Sequence, residues 1–464
     1  MHRACFSPIA GITLILLASC QRHPSALEQM KSEGLIRVAI ANVESCTQGE
    51  PFSGSLECEL PRRFAKTLGV VVKYLPAKRL DIALSLLDDG RGQFAAGLPA
   101  LPSLGDRLRF TPAYRRVTWQ LIYRQGRKQP KKLADLAAGE LVVATGSVQE
   151  RLLKEWKTSH PELSWVSQPD SSMSALLEQV QNKRVAATLA DSTSVMLQRR
   201  HFPELRVAFE LGEPSDIGWA FPHRRDDSLY RAALDFLDDI HRDGTLRVLI
   251  DRYHTHADRL NYVDQRSFQR HLRERLPAFR PFFERTAKAY GLSWRLLAAI
   301  GYQESHWNPE AVSPTGVRGL MMLSRVTAKR VGIADRTDPA QSILGAARYL
   351  LELRKKIPKR IPEPDRAWLT LAAYNIGFGH LEDARILTQR MGGNPDRWMD
   401  VRRALPLLEK PAIAKTLKHG IARGNEAVTY VENIRNYLEM LEFLTHETPT
   451  KGSQPVISVL PEAL

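Results

Sequence analysis

The sequence contains no apolar run long enough to cross a membrane. The one run that approaches such a length, 9–18, has ten residues, whereas a transmembrane helix needs about 20. A polytopic membrane protein is therefore excluded. The composition, 43% hydrophobic and 25% charged, is that of ordinary globular protein and excludes a collagen-like or wholly disordered chain. The length of 464 residues favours two or three domains.

Signatures of nucleic-acid binding and of bound cofactors are also missing. The sequence has no block of five like charges, no zinc-finger spacing, and no glycine-rich phosphate loop followed by Lys-Ser or Lys-Thr. It therefore predicts no cofactor, no metal and no nucleic-acid partner. Lys and Arg number 66 against 51 Asp and Glu, a net charge of +15. That excess favours a carboxylate-bearing substrate or simply a solvated basic surface.

The first twenty residues have the pattern of an export signal, with a short positive start followed by the apolar run 9–18. Residues 17–20, Leu-Ala-Ser-Cys, resemble the bacterial lipobox, whose cysteine is lipidated and becomes the new amino terminus. The resemblance implies a signal peptide over 1–19 and a lipid anchor at Cys20. A plain signal peptide with a chance cysteine is the alternative. Gln21, in place of Asp, is typical of lipoproteins on the periplasmic face of the outer membrane.

Cys46 and Cys58 are the other cysteines of the exported chain. Oxidation is favoured outside the cytoplasm, so we expect a disulfide between them, although two free thiols are possible. The bridge would close a loop of about a dozen residues and stabilise the fold by about 3 kcal/mol.

The residue pattern changes near position 260. Before it, short β-rich runs alternate with helical stretches, which is typical of parallel α/β units. After it, strand signals vanish and helical patterns continue to a loose tail at 447–464. We therefore predict an α/β domain at 21–259 and an all-α domain at 260–446. The predicted strands are 35–40, 70–75, 94–97, 120–123, 141–144, 185–190 and 205–209; predicted helices include 60–68, 81–87, 149–156, 173–181, 228–240 and 365–376.

Several stretches of the first half resemble a family-3 extracellular solute-binding domain, which has the two-lobed periplasmic-binding-protein fold. They are the opening strand at 35–38, Gly-Leu at 97–98, Phe-Thr-Pro-Ala-Tyr at 110–114 and Thr-Gly-Ser at 145–147. The resemblance covers about 220 residues. It implies a ligand site in which Thr145 and Ser147 meet a carboxylate and Asp191 meets an amine. A helix cap is the alternative role for Asp191.

One position departs from the amino-acid binders of that family. The arginine that usually clamps the ligand carboxylate corresponds to Leu104, with Arg107 and Arg109 nearby. The occupant therefore stays open among a small amino-acid-like ligand, a muropeptide fragment and none.

Glu304 is the most unusual feature of the second half. Leu297, Ile300 and Glu304 fall at i, i+3 and i+7 of a helix predicted over 292–305, which Asn-Pro at 308–309 must end. The acid therefore lies on the face of the core residues, under a glycine-containing loop. Desolvation there should raise its pKa, as a general acid near neutral pH requires. A solvent-exposed side chain at the helix edge is the alternative.

Three motifs in order resemble those of the family-1 lytic transglycosylases, which have a lysozyme-like α-helical fold. The first runs from Glu304 through Pro309 to Gly-Leu-Met at 319–321, the second is Ala-Ala-Tyr-Asn at 372–375, and the third begins at Tyr430. The resemblance implies cleavage of the β-1,4 bond between N-acetylmuramic acid and N-acetylglucosamine in peptidoglycan glycan strands. Glu304 would protonate the glycosidic oxygen and then deprotonate the muramic C6 hydroxyl, which closes a 1,6-anhydro ring.

The same resemblance implies substrate contacts for several further residues. Tyr374 or Tyr430 would orient Glu304, with core packing as the alternative for Tyr374, while His306 is interpreted as structural. Met322 stands where many relatives have Gln, so a polar contact to the glycan is missing. The implied substrate-binding residues are Ser313, Gly319, Met321, Tyr374, Asn375 and Tyr430.

Glycosidases usually carry a pair of carboxylates, but the motif segment offers only Glu310, beyond Pro309 and not expected to face Glu304. The missing partner favours the non-hydrolytic route. A muramidase in which water attacks, and a non-catalytic sensor that only holds murein, are the competing functions.

Overall fold

The computed structural model describes residues 24–41, 46, 55–199, 201–254 and 262–445. The predicted signal peptide, Cys20 and the tail lie outside these residues, as does the predicted domain boundary at 259/260. Among the residues described, no helix is both long and apolar enough to cross a membrane.

Strands and helices alternate up to His254. The strands are β1 Leu35–Ile40, β2 Val71–Pro76, β3 Phe94–Pro99, β4 Leu108–Phe110, β5 Arg115–Arg124, β6 Val142–Ala144, β7 Val166–Gln168, β8 Ala187–Asp191 and β9 Leu205–Pro222. The helices are α1 Ala26–Glu33, α2 Leu56–Leu68, α3 Leu80–Asp88, α4 Val148–Trp156, α5 Met173–Gln181, α6 Ser192–Arg199, α7 Ser228–Arg242 and α8 Thr245–His254.

From Tyr262 onward the described chain is helical. The helices are α9 Tyr262–Glu274, α10 Leu276–Tyr290, α11 Trp294–Ser305, α12 Arg325–Arg330, α13 Pro339–Lys356, α14 Asp365–Ile376, α15 Phe378–Arg390, α16 Trp398–Ala404, α17 Pro411–Ala414 and α18 Gly424–Leu444. The predicted succession of an α/β and an all-α region is therefore confirmed.

The α/β region has two lobes joined by long strands. In the first lobe the strand order is β2-β1-β3-β9, with β4 also paired to β9. In the second lobe β9 continues beside β5, β5 pairs with β8, and a bridge from Leu141 to Ala187 leads to the β6-β7 pair. Because β5 and β9 run through both lobes, they form the connection between them.

The sheet is mixed, so the prediction of parallel units holds for only part of it. β1 pairs in parallel with β2 and β3, and β6 with β7, but β9 runs antiparallel to β3, β4 and β5. Only 205–209 of β9 was predicted as strand. Its middle, Glu-Leu-Gly-Glu-Pro-Ser-Asp at 210–216, is poor in strand formers. Pairing with β5, rather than local propensity, holds this stretch extended.

A disulfide joins Cys46 to Cys58, with their Cα atoms 5.3 Å apart. It connects residue 46 to the first turn of α2.

The helical region is built around α11. Its residues from Leu296 to Tyr302 are all buried, and it packs against α10 and α18. At Gly301 an added Cβ would lie 3.0 Å from the Met321 sulfur and 3.1 Å from the Phe283 ring, so neighbouring elements approach this helix closely. Because α11 is buried on all sides, its last turn, which contains Glu304, lies at the edge of the core.

Candidate active site

The end of α11 fixes the position of Glu304. His306 and Trp307 both adopt left-handed backbone conformations, with φ of 52° and 54°, which turns the chain sharply away from the helix. The Trp307 side chain is fully buried, and its indole N–H donates to the Ala298 carbonyl at 2.8 Å. This bond ties the turn back to the helix and explains how a strained turn persists beside the acid.

Tyr430 on α18 holds the Glu304 carboxylate directly. Its hydroxyl donates to Glu304 Oε1 at 2.6 Å across 126 positions of sequence. The Glu304 side chain is partly buried, and the desolvation raises its pKa to about 7. The hydrogen bond from Tyr430 opposes this rise in pKa, whereas the charge of Glu426 adds to it. The arrangement leaves a carboxyl that can both donate and accept a proton near neutral pH.

Glu426 is a second acid near Glu304 that the sequence reasoning missed. It lies in the first turn of α18, one helical turn before Tyr430, and is 53% exposed in an ion pair with Arg423 at 2.9 Å. The spacing of four residues from Tyr430 was the available signal, because residues at i and i+4 share a helix face. Glu426 was missed because it is far from Glu304 in sequence, and only carboxylates close to Glu304 in sequence were considered.

Tyr374 lies in the same cluster but does not bond the acid. Its hydroxyl donates to the Met321 carbonyl at 3.4 Å, and its ring lies 6.3 Å from the ring of Tyr430, nearly parallel. Burial, together with the charge of Glu304, raises the pKa of both tyrosines well above the ordinary value. Both therefore stay protonated, and Tyr430 can act as a hydrogen-bond donor throughout the physiological pH range.

The predicted loop residues mainly shape the loop itself. Ser313 Oγ accepts from the Val317 backbone N–H at 3.0 Å and lies 3.1 Å from the Thr315 hydroxyl. Gly319 is buried with φ of 98°. Met322, which replaces the expected Gln, also has a positive φ, 46°. The loop thus depends on local hydrogen bonds and on unusual backbone conformations.

The other predicted residues occupy distinct places. Asn375 lies in the last turn of α14, partly exposed. Glu310 is exposed, and its backbone N–H donates to Asn308 Oδ1. His306 is exposed, with its ring 4.7 Å from that of Tyr302 and its carbonyl accepting from Arg275. Within the described ranges, no group of three or more His, Cys, Asp or Glu side chains is arranged to hold a metal ion.

A cavity of about 680 Å³ lies between the lobes, and part of its wall comes from the helical region through α14 and α18. Ser147 and Asp191 line it, whereas Thr145 is exposed elsewhere. Ser147 Oγ accepts from the Glu150 N–H, and Asp191 Oδ1 accepts from the Ser194 N–H. Both side chains therefore cap helices, which for Asp191 is the alternative that the sequence left open.

The arginines near Leu104 do not reach this cavity. Leu104 is fully buried, Arg107 pairs with Asp88, and Arg109 lies over the Tyr230 ring, 3.8 Å from Asp227. The charged residues that do line it include Glu57 and Arg115, which the sequence reasoning did not single out. Their pairing is visible only in three dimensions, because 58 positions separate them.

Comparison with known proteins identifies the family. Residues 281–394 match the Transglycosylase SLT domain. Over 451 residues the chain is 44% identical to membrane-bound lytic murein transglycosylase F 1 of Alkalilimnicola ehrlichii, which covers 94% of this chain and 91% of that protein. The chain belongs to the membrane-bound lytic murein transglycosylase F family. A further member, from Yersinia enterocolitica, is 43% identical over 457 residues, 96% of this chain and 93% of its own.

Solved structures resemble the first half of this transglycosylase F family member. A cysteine-binding protein from Campylobacter jejuni has a TM-score of 0.44 and 16% identity, covering 52% of this chain and 98% of its own. An ancestral arginine-binding protein bound to arginine has a TM-score of 0.41 and 19% identity, covering 47% and 98%. The two lobes themselves are evident from the strand order described above.

Proposed function

We propose that this chain is a murein lytic transglycosylase in which Glu304 is the single catalytic acid and base. Its relatives are named lytic murein transglycosylases, and its helical region contains the matching SLT domain. The observation that supports the role of Glu304 is its carboxyl group, partly buried, with a pKa of about 7 and a hydrogen bond from Tyr430.

In the first step, protonated Glu304 donates its proton to the glycosidic oxygen between N-acetylmuramic acid and N-acetylglucosamine. The C1–O bond breaks, and the electron pair leaves with the N-acetylglucosamine hydroxyl. The substrate's own acetamido group stabilises the cationic C1. Tyr430 continues to donate to the new carboxylate and stabilises its negative charge.

In the second step, the Glu304 carboxylate takes the proton of the muramic C6 hydroxyl as that oxygen attacks C1. A 1,6-anhydro ring forms, and Glu304 returns to its protonated state, so no water is consumed. One carboxyl group with a pKa near the working pH suffices for both transfers. Ser313, in the loop whose shape depends on Gly319, and Asn375, on α14, are proposed to contact the glycan. Met321 is fully buried, so its predicted contact with the glycan is replaced by a role in packing.

The masses of the digestion products test this route against hydrolysis. Purified murein digested by the chain should yield muropeptides with 1,6-anhydromuramic ends, each lighter by one water than the product of a muramidase. Glu426 is the acid whose charge acts on Glu304 and is the candidate for activating a water molecule, so the Glu426→Gln variant belongs in the same experiment. Predominantly hydrolysed ends would replace the proposal with the muramidase alternative.

Replacing Tyr430 by Phe should weaken cleavage by about ten- to a hundredfold, because one hydrogen bond to a charged group contributes about 1.5–3 kcal/mol. That bond lowers the pKa of Glu304, so its loss raises the pKa. The acid step needs the protonated form, and the alkaline fall in rate should therefore move to higher pH. A pH profile of turbidity clearance by both proteins measures this, and an unmoved profile would contradict the proposed role.

Replacing Glu426 by Gln should move the same profile in the opposite direction. The charge of Glu426 raises the pKa of Glu304, so its removal lowers the pKa, and the alkaline fall should begin at lower pH. Because Glu426 is half exposed, we expect the shift to shrink as salt rises. Shifts of equal sign in the Tyr430 and Glu426 variants would refute this assignment of causes.

We propose that Cys20 carries a lipid anchor that attaches the chain to the periplasmic face of the outer membrane. The lipobox-like residues 17–20 and the following Gln21 support this, and the relatives are named membrane-bound. Replacing Cys20 by Ser should release the chain into the soluble periplasmic fraction. Retention of this variant in outer-membrane fractions would indicate peripheral attachment instead.

The α/β domain is proposed to be non-catalytic and regulatory, with the cavity as its site for a muropeptide fragment or a small amino-acid-like ligand. The helices that complete the cavity wall support this proposal. Trp368 lies on α14, which also carries Tyr374 and Asn375, and Arg435 lies on α18, which also carries Tyr430. Calorimetric titration of the full mature chain with muropeptide fragments tests it, and absence of binding would count against it.

A further inference from the structure

A buried ion pair lies in the cavity between the lobes. The Arg115 guanidinium donates to Glu57 Oε1 through Nη2 at 2.7 Å and through Nε at 3.0 Å. The two side chains are only 16% and 15% exposed. The remaining terminal nitrogen, Nη1, donates to the Thr193 hydroxyl at 3.0 Å. The guanidinium thus meets a carboxylate on one side and a hydroxyl on the other.

These three residues come from different parts of the α/β region. Glu57 lies in the first turn of α2, which packs against β1, β2 and β3 of the first lobe. Thr193 lies in the first turn of α6, which packs against β5 and β8 in the second lobe. Arg115 begins β5, one of the strands that pass between the lobes. Its guanidinium therefore ties the lobes together through the chain's own carboxylate.

Close packing against Gly97 fixes the position of the Glu57 side chain. Gly97 faces it so closely that an added Cβ would lie 2.7 Å from Glu57 Cγ. A side chain at position 97 would displace Glu57 from its position. The third charged member of the group, Asp191, also lines the cavity and acts on Arg115 through its charge.

We propose that Arg115 is the carboxylate-binding residue of this cavity. In the absence of ligand its guanidinium pairs with Glu57, and a ligand with a terminal carboxylate takes the place of Glu57. The guanidinium fork suits a bidentate carboxylate, and Leu104, Arg107 and Arg109 are unavailable for that role. Thr193 remains beside the entering group as a further hydroxyl contact. This deepens the proposal that the first domain holds a ligand, and murein cleavage does not enter its test.

The internal carboxylate has a measurable consequence. A ligand carboxylate must compete with Glu57 for the same guanidinium, so the observed affinity is lower than the site would otherwise provide. Removing the charge of Glu57 should raise the affinity for carboxylates. A hydrogen bond to a charged group contributes about 1.5–3 kcal/mol, which corresponds to a gain of about ten- to a hundredfold.

Trialanine and trialaninamide are suitable probes, because they differ only at the terminal carboxylate. Titration calorimetry on the full mature chain should show that Glu57→Gln binds trialanine about ten- to a hundredfold more tightly than the unmodified chain does. Binding of trialaninamide should change by less than about threefold. Adding Arg115→Met to Glu57→Gln should abolish the gain.

Two further variants keep the test decisive. Glu59→Gln removes the buried carboxylate of a Glu–Arg pair of the same helix outside the cavity, since Glu59 pairs with Arg63 at 2.6 Å, and should leave both affinities unchanged. Glu57→Asp withdraws the carboxylate without removing its charge, so we expect a smaller gain in trialanine affinity. This variant replaces Glu57→Gln in the test if Glu57→Gln does not fold. Equal trialanine affinity in all proteins, an equal gain for trialaninamide, or no binding to any variant would overturn the proposal.

Discussion

Replacing Glu304 by Gln is expected to lower murein cleavage by about a thousandfold, because one carboxyl group performs both proton transfers and each contributes about 10²–10⁴-fold. Gln has almost the same shape and can still accept the hydrogen bond that Tyr430 donates at 2.6 Å. The substitution therefore removes the proton without emptying the site. Release of soluble muropeptides from purified murein, followed by chromatography, measures the loss.

Glu310→Gln is the matched control for this variant. Glu310 lies six residues away in the same motif segment, but it is exposed, so its replacement should leave the rate within about twofold. Removing the desolvated Glu304 carboxyl should not lower the thermal stability, since its burial is costly. Undiminished cleavage by Glu304→Gln would show that Glu304 is not the catalytic residue, whereas a chain that binds murein but releases no muropeptides even when unmodified would match the sensor alternative.

Replacing Gly319 by Ala is expected to destabilise the helical domain by about 2–6 kcal/mol. A Cβ at this position would lie 2.3 Å from the Arg336 carbonyl oxygen, a backbone atom that cannot move aside as a flexible side chain can. Overpacking of this kind costs about 1–3 kcal/mol, and the left-handed φ of 98° adds about 1–3 kcal/mol. Leu320 and Met321, both fully buried, follow directly, so cleavage should fall as well. Thermal unfolding followed by circular dichroism measures the change.

Gly316→Ala separates the two causes in the same loop. Gly316 also has a positive φ, 78°, but an added Cβ would meet nothing within 4 Å. We expect this variant to lose only about 1–2 kcal/mol, the cost of the left-handed conformation alone. Equal destabilisation by the two substitutions would mean that the contact with Arg336 is relieved at little cost.

Local sequence signals were sufficient to predict the helices whose bounds are set by residues within the helix and next to its ends. The helices Met173–Gln181 and Asp365–Ile376 have the predicted bounds. Ser172 caps the first through the Ala175 N–H. Asp338 caps α13 through the Gln341 N–H, with Pro339 in the first position, and this pair of residues is a typical helix start. Capping and apolar periodicity act over a few residues, which is why they can be recognised in a single sequence.

Prediction failed where distant segments decide the conformation. The strand β9 is extended from Leu205 to Pro222, although its middle has little strand propensity, because β5 pairs with it as far as Ile217 and β3 and β4 pair with its end. The antiparallel direction of β9 likewise depends on chain reversals that no short motif records.

The same distinction between local and distant interactions applies to the candidate active site. The sequence by itself placed Glu304 at the end of a helix, on its core face, and arranged three motifs around it in order. Only the tertiary structure decided that Tyr430, and not Tyr374, donates a hydrogen bond to the Glu304 carboxylate. It also decided that the charge of Glu426 raises the pKa of Glu304 and that Glu57 pairs with Arg115. Helix periodicity is set by neighbours in sequence, whereas hydrogen bonds, desolvation and charge interactions depend on distances in space that folding alone establishes.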